Sequence, residues 1–140
     1  MERMQSHYRI AHRGLLRILY ADRDCDVVEP TAAGMRTAVR TVQDRLGVAL
    51  DLPLFNVFIA PNRAEYDRLV AHLTSTPTRP SRVGQPQGHD LYLLSPTAWP
   101  TEAVPELLGE DGRYDPAIYL RLLVHETVHM VEEDISPRDA

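Results

Sequence analysis

The chain has 140 residues, a net charge of −5 and a single cysteine, Cys25. That length fits one domain with a core of its own. The lone thiol excludes an intrachain disulfide and any cysteine-based metal site, and the acidic balance gives no footing for nucleic acid. No basic amphipathic run points to a membrane surface. No segment approaches the roughly twenty apolar residues of a membrane span, and "MERMQSHYRI" lacks the apolar stretch of a signal peptide. The chain reads as soluble as it stands, with its compartment open. All 15 basic residues are arginine, which reads as compositional bias, and Cys25, flanked by acids in "DRDCDV", reads as an incidental thiol.

In chain order, "HYRIAH" (7–12) alternates and predicts an opening β-strand. "GLLRILYA" (14–21) fits a short helix or a strand. Glu29-Pro30-Thr31 announces a helix, and Met35, Ala38, Val39, Val42 and Leu46 recur at helical spacing before Gly47, so a helix is expected over about 31–46. "LPLFNVFIAP" (52–61) is continuously apolar, as an inner strand is. Asn62 and Glu65 form a capping-box pattern, opening a helix at about 63–74 whose buried face is Tyr66, Leu69, Val70 and Leu73.

"TSTPTRPSRVGQPQG" (74–88) has three prolines and two glycines and predicts a long loop. "HDLYLLS" (89–95) predicts a strand closed by Pro96. A turn-rich connection follows, with a short helical turn near Ala103–Leu108. Trp99 is expected to anchor this connection by packing. Asp115-Pro116 is a strong helix opening, and the last helix is expected from about 116 to 134. The pattern is that of a single α+β domain over 1–140.

That last helix contains "LLVHETVHMVEED". At 100° per residue, His125 and His129 fall within about 40° of one another on one face, so one metal ion can bridge them. Neutral imidazole suits Zn²⁺ as a ligand. Glu126 points elsewhere on the helix, close enough to take a proton from an activated water without displacing it. Zinc is the ion such a site uses to lower the pKa of water to about 7. The chance of an H-E-x-x-H arising anywhere in a chain with this His and Glu content is about one or two in a hundred.

The H-E-x-x-H helix resembles the active-site helix of zincin metallopeptidases. The wider stretch over about 50–134, with "NVFIAP", "NRAEYDRLV", "GHDLYLLSP" and "YLRLLVHETVH", resembles the small gluzincin-type, peptidase-MA-like domains. The resemblance implies a zincin-like N-terminal subdomain, a small mixed sheet with an edge strand over a central helix. It implies His125 and His129 as zinc ligands and Glu126 as the catalytic base. It also implies that "HDLYLLS" is the edge strand, with Asp90, Leu91, Tyr92 and Leu93 pairing with an extended peptide or protein substrate.

The family's third zinc ligand is not at its familiar places. In gluzincins it is a glutamate on a later helix, tens of residues past the motif, and this chain stops at Ala140. The domain is therefore expected to be cut short at its C-terminal end. In metzincin-like relatives the third ligand stands six residues after the second histidine, which here is Ile135. Glu132 and His89 are the candidates within the chain. Glu132 would have to reach back about 7 Å along the helix. His72 reads as a surface residue. Arg121, Tyr92 and Tyr114 are candidate donors to a carboxylate or an oxyanion.

Two functions stand side by side. One is a zinc metallopeptidase, hydrolysing peptide bonds with Glu126 as general base. The other is a non-catalytic, truncated or degenerate zincin-like module that binds metal or a partner.

Overall fold

In a computed structural model of the chain, the described residues are 8–14, 16–46, 55–71 and 82–135, without the side chains of residue 46 and residues 131–135. The strands are β1 (Arg9–Arg13), β2 (Leu16–Tyr20), β3 (Phe55–Ala60), β4 (Gly84–Gln87) and β5 (Asp90–Leu94). The helices are α1 (Val28–Leu46), α2 (Arg63–Leu69), α3 (Trp99–Glu102) and α4 (Pro116–Ile135). A kinked six-residue 3₁₀ segment lies at Asp22–Val27, and single 3₁₀ turns lie at Pro96–Ala98 and Pro105–Leu107. The architecture is α+β, with one mixed sheet in the order β1-β2-β3-β5-β4. Among the described residues no helix is long and apolar enough to cross a membrane.

β1 and β2 form an antiparallel hairpin, β2, β3 and β5 run parallel, and β4 returns antiparallel to β5. Strand alternation gives the sheet two unlike faces. Leu16, Ile18, Phe55, Val57, Ile59, Leu91 and Leu93 share one face and are all buried. Each such side chain contributes about 1.5–3 kcal/mol by leaving water. The other face carries a polar ladder: Arg17 Nε donates to Asn56 Oδ1 at 2.8 Å, and Asn56 Nδ2 donates to Asp90 Oδ1 at 2.9 Å. Beside it Phe58 stacks on Tyr92, with ring centroids 4.9 Å apart.

The helices form where the spacing predicts, but α2 ends at Leu69 rather than near 74, with Val70 as its C-cap, and Leu73 of its expected buried face lies outside the described residues. α1 begins three residues earlier than expected, continuing the 3₁₀ segment before it. Asn62 caps α2 as expected, its Oδ1 accepting from the Glu65 N–H at 2.9 Å. The Glu65 carboxylate instead accepts from Arg68 and from the Tyr8 hydroxyl. Trp99 is fully buried and its Nε1 donates to the Leu94 carbonyl at 3.1 Å, which anchors the turn after β5. Its ring meets Tyr114 and Tyr119 edge-on. Tyr119 is tied to α1 by a 2.6 Å hydrogen bond between its hydroxyl and Thr31 Oγ1. The buried Asp24 Oδ1 accepts from Ser95 Oγ and Thr97 Oγ1, joining the first 3₁₀ segment to the end of β5.

Two expectations are corrected. The segment 74–88 is not wholly loop: residues 84–87 form β4, while 74–81 lie outside the described residues. And β5 is not an edge strand, because β3 pairs with one side of it and β4 with the other. The rim of the sheet on this side is β4.

Candidate metal centre and cleft

α4 starts where Asp115 Oδ1 accepts from the Ala117 N–H at 2.8 Å, with Pro116 in the first position. Its buried stripe is Tyr119, Leu123, Glu126, Thr127 and Met130, at spacings of three and four. Thr127 spends its hydroxyl within the helix, donating to the Leu123 carbonyl at 2.7 Å. α1 and α4 pack closely at one point. A Cβ on Gly34 would lie 2.4 Å from Leu123 Cδ1, so the side chain is missing where the two helices meet.

One face of α4 is left to solvent, and both histidines stand there, exposed. Their rings meet edge-on, and their Nε2 atoms are 3.3 Å apart. Two nitrogens, each about 2.05 Å from one tetrahedral ion, would lie about 3.3–3.4 Å apart. The pair is therefore already spaced as two ligands of a single tetrahedral ion. Glu126 is only 7 % exposed, and its carboxylate joins the pair in a group whose ligand atoms all lie within 4.8 Å of one another. This grouping could hold a metal ion. Among the described residues no other His, Cys, Asp or Glu belongs to it.

Burial raises the pKa of Glu126 above the ordinary glutamate value; His125, His129 and Arg82 oppose the rise. The burial comes from β4. A Cβ on Gly84 would lie 2.7 Å from Glu126 Oε2, so the carboxylate occupies the space a side chain would fill. Gly84 is not among the glycines with positive φ. Its backbone conformation does not require glycine; the closeness of Glu126 does. Nearby, the buried Tyr66 hydroxyl has no hydrogen-bond partner, and burial first of all raises its pKa.

β4 and α4 enclose a cleft of about 590 Å³, lined by residues 82–87 and by Leu122, His125, Glu126 and His129. Of the expected site residues, the structure brings His125, Glu126 and His129 together. It does not bring Asp90, Leu91, Tyr92 or Leu93 into the cleft. Leu91 and Leu93 are core residues, and Asp90 and Tyr92 alternate to the opposite face, where Asn56 and Phe58 hold them. His89 sits in the turn between β4 and β5, edge-on to Phe55 at 5.7 Å, and does not line the cleft. The Glu132 side chain and His72 lie outside what is described. Arg121 is exposed and does not line the cleft; Tyr114 packs on Trp99 instead.

Arg82, Gly84, Gln85 and Gln87 were not singled out from the sequence. A glycine two residues before a proline in a turn-rich stretch looks like loop punctuation, so only the approach of Glu126 marks Gly84. Comparison of the chain with family models, with curated proteins and with solved structures found no match in any of the three.

Proposed function

We propose that the chain is a zincin-type, zinc-dependent hydrolase domain acting on peptide bonds. One observation carries the reading: two histidine Nε2 atoms 3.3 Å apart on one helical turn, with a buried carboxylate beside them under a sheet edge. His125 and His129 would hold the ion. Zinc, when bound there, supplies a Lewis acid that makes water nucleophilic at neutral pH. Glu126 takes the proton of the attacking water and returns it to the leaving amine. Its raised pKa suits both tasks, because a carboxyl whose pKa lies nearer neutrality both accepts and releases a proton there. The edge of β4 receives an extended substrate, since unpaired strand groups are satisfied by an added strand.

Calorimetric titration with zinc, paired with a peptide-hydrolysis assay, tests this. One zinc per chain is expected, weakened at least tenfold by His125→Ala or His129→Ala. Glu126→Gln should keep zinc and lose hydrolysis. Hydrolysis retained by Glu126→Gln refutes the assignment of the base.

One observation favours a second reading, a metal-binding module without catalysis: among the described residues the only His, Cys, Asp or Glu side chains grouped at the site are His125, Glu126 and His129. On that reading Glu126 is itself a ligand, and Glu126→Gln weakens zinc binding as much as loss of a histidine.

A further inference from the structure

We propose that the cleft selects a short extended peptide segment bearing a carboxylate, and that Arg82 receives that carboxylate about two residues from the position that pairs with Gly84. The proposal rests on the peptide-hydrolase reading and adds a substrate class to it.

The first ground is the hydrogen-bonding capacity of the rim. The Leu94 N–H donates to the Val83 carbonyl at 2.9 Å, which makes Val83 and Leu94 a hydrogen-bonded pair. Antiparallel pairs alternate, and the register opposes Gln85 to Tyr92 and Gln87 to Asp90. Those two pairs therefore also bond across the strands. Gly84 and Pro86, opposite Leu93 and Leu91, turn their backbone groups the other way, toward the open rim. Among the described residues no strand pairs there. Pro86 has no N–H, and its carbonyl accepts from Gln85 Nε2 at 3.5 Å. The Arg82 carbonyl is already taken by Arg63 Nη1. Among the described residues of the rim, Gly84 is then the one with both a free-facing N–H and a free-facing C=O, and it stands against Glu126. Such a rim grips an extended chain at one residue and supports it for little beyond, which favours a short segment over a long one.

The second ground is charge. Arg82 is exposed and lines the cleft, and its Nη1 donates to Gln85 Oε1 at 2.8 Å. None of the ion pairs among the described residues involves it. Its guanidinium retains the donors for a carboxylate, the group that its planar fork matches best. Among the described side chains the only carboxylate lining the cleft is Glu126. Arg82 precedes Gly84, the first residue of β4, by two residues, about 7 Å of extended chain, and lines the same cleft. A ligand paired with Gly84 thus presents to Arg82 a side chain about two positions away.

The test is a nuclear magnetic resonance titration of Glu126→Gln protein with one equivalent of zinc. The probes are capped alanine hexapeptides with one aspartate walked through the six positions, and the matching asparagine set. At the favoured position the aspartate peptide should bind roughly tenfold more tightly than its asparagine match, shifting the Gly84 amide. The preference should vanish in a second Arg82→Gln substitution, survive in part in Arg82→Lys, and shrink in 0.5 M salt. Equal binding of the two sets, or a preference that survives Arg82→Gln, overturns the proposal and leaves the peptide-hydrolase reading standing. If no peptide shifts the amides of β4 and α4, that reading falls and this proposal with it. Should Arg82→Gln lose the native spectrum, the aspartate–asparagine comparison on protein with Arg82 intact still decides.

Discussion

Gly84→Ala should disable the site while leaving the fold intact. The new Cβ would stand 2.7 Å from Glu126 Oε2, whereas ordinary contact begins at 3.4 Å, so about 0.7 Å must be made up. The backbone of β4 is held on one side by β5 and at Arg82 by Arg63, so the carboxylate is the part that yields. It is the far end of a flexible side chain, so it shifts more cheaply than backbone would. A misplacement of about 1 Å in a reacting group can cost on the order of 10²-fold in rate. We expect kcat/KM for peptide hydrolysis to fall about 10- to 100-fold, mostly in kcat. Zinc affinity should stay within about threefold, because the histidines are untouched, and stability in urea should change by less than about 1 kcal/mol. Steady-state kinetics, calorimetry and urea unfolding on the same preparation measure all three. A variant within twofold of the parent in kcat, or one that loses zinc affinity and activity together, refutes the idea that Gly84 exists to seat Glu126.

Three further outcomes are expected. Burial holds the Glu126 pKa above its unfolded value, so folding favours the protonated carboxyl. The metal-free chain should therefore lose stability as pH rises through that raised pKa. Metal-free Glu126→Gln should melt higher than the parent at neutral pH and equal it in acid below the ordinary glutamate range; a pH-independent difference in calorimetric scans counts against this. Tyr119→Phe should leave the buried Thr31 hydroxyl without its 2.6 Å partner and cost about 1–3 kcal/mol in urea unfolding, and a neutral effect contradicts the reading of that bond. Gly34→Ala places a Cβ 2.4 Å from Leu123 Cδ1 in the fully buried core. Overpacking of about 1–3 kcal/mol should outweigh the roughly 1 kcal/mol that alanine returns to a helix, and an alanine variant more stable than the parent refutes the close packing of α1 on α4.

The helices and the inner strand were legible in the sequence because their signals are local. Helical spacing over 116–134 places His125 and His129 on one turn whatever surrounds them, and Asp115-Pro116 sets where the helix begins. The mostly apolar run "LPLFNVFIAP" marks β3 as an inner strand, which β2 and β5 flank, and the Asn62 cap needs only the next three residues. The identity of the rim strand was not local. "GQPQ" has no apolar alternation and contains a proline, so nothing in it distinguishes strand from loop. It becomes a strand because β5 offers it a free edge, and that same pairing turns β5, whose apolar run could serve at an edge or in the interior, into an inner strand. Where Glu126 lies was also beyond the sequence: the helical wheel separates it from the histidines, but only the approach of β4 buries it. The sequence by itself determined which residues could share a metal ion. The tertiary structure alone decided which strand overlooks them, since pairing partners far apart in the chain are chosen by the whole sheet and not by any one of its segments.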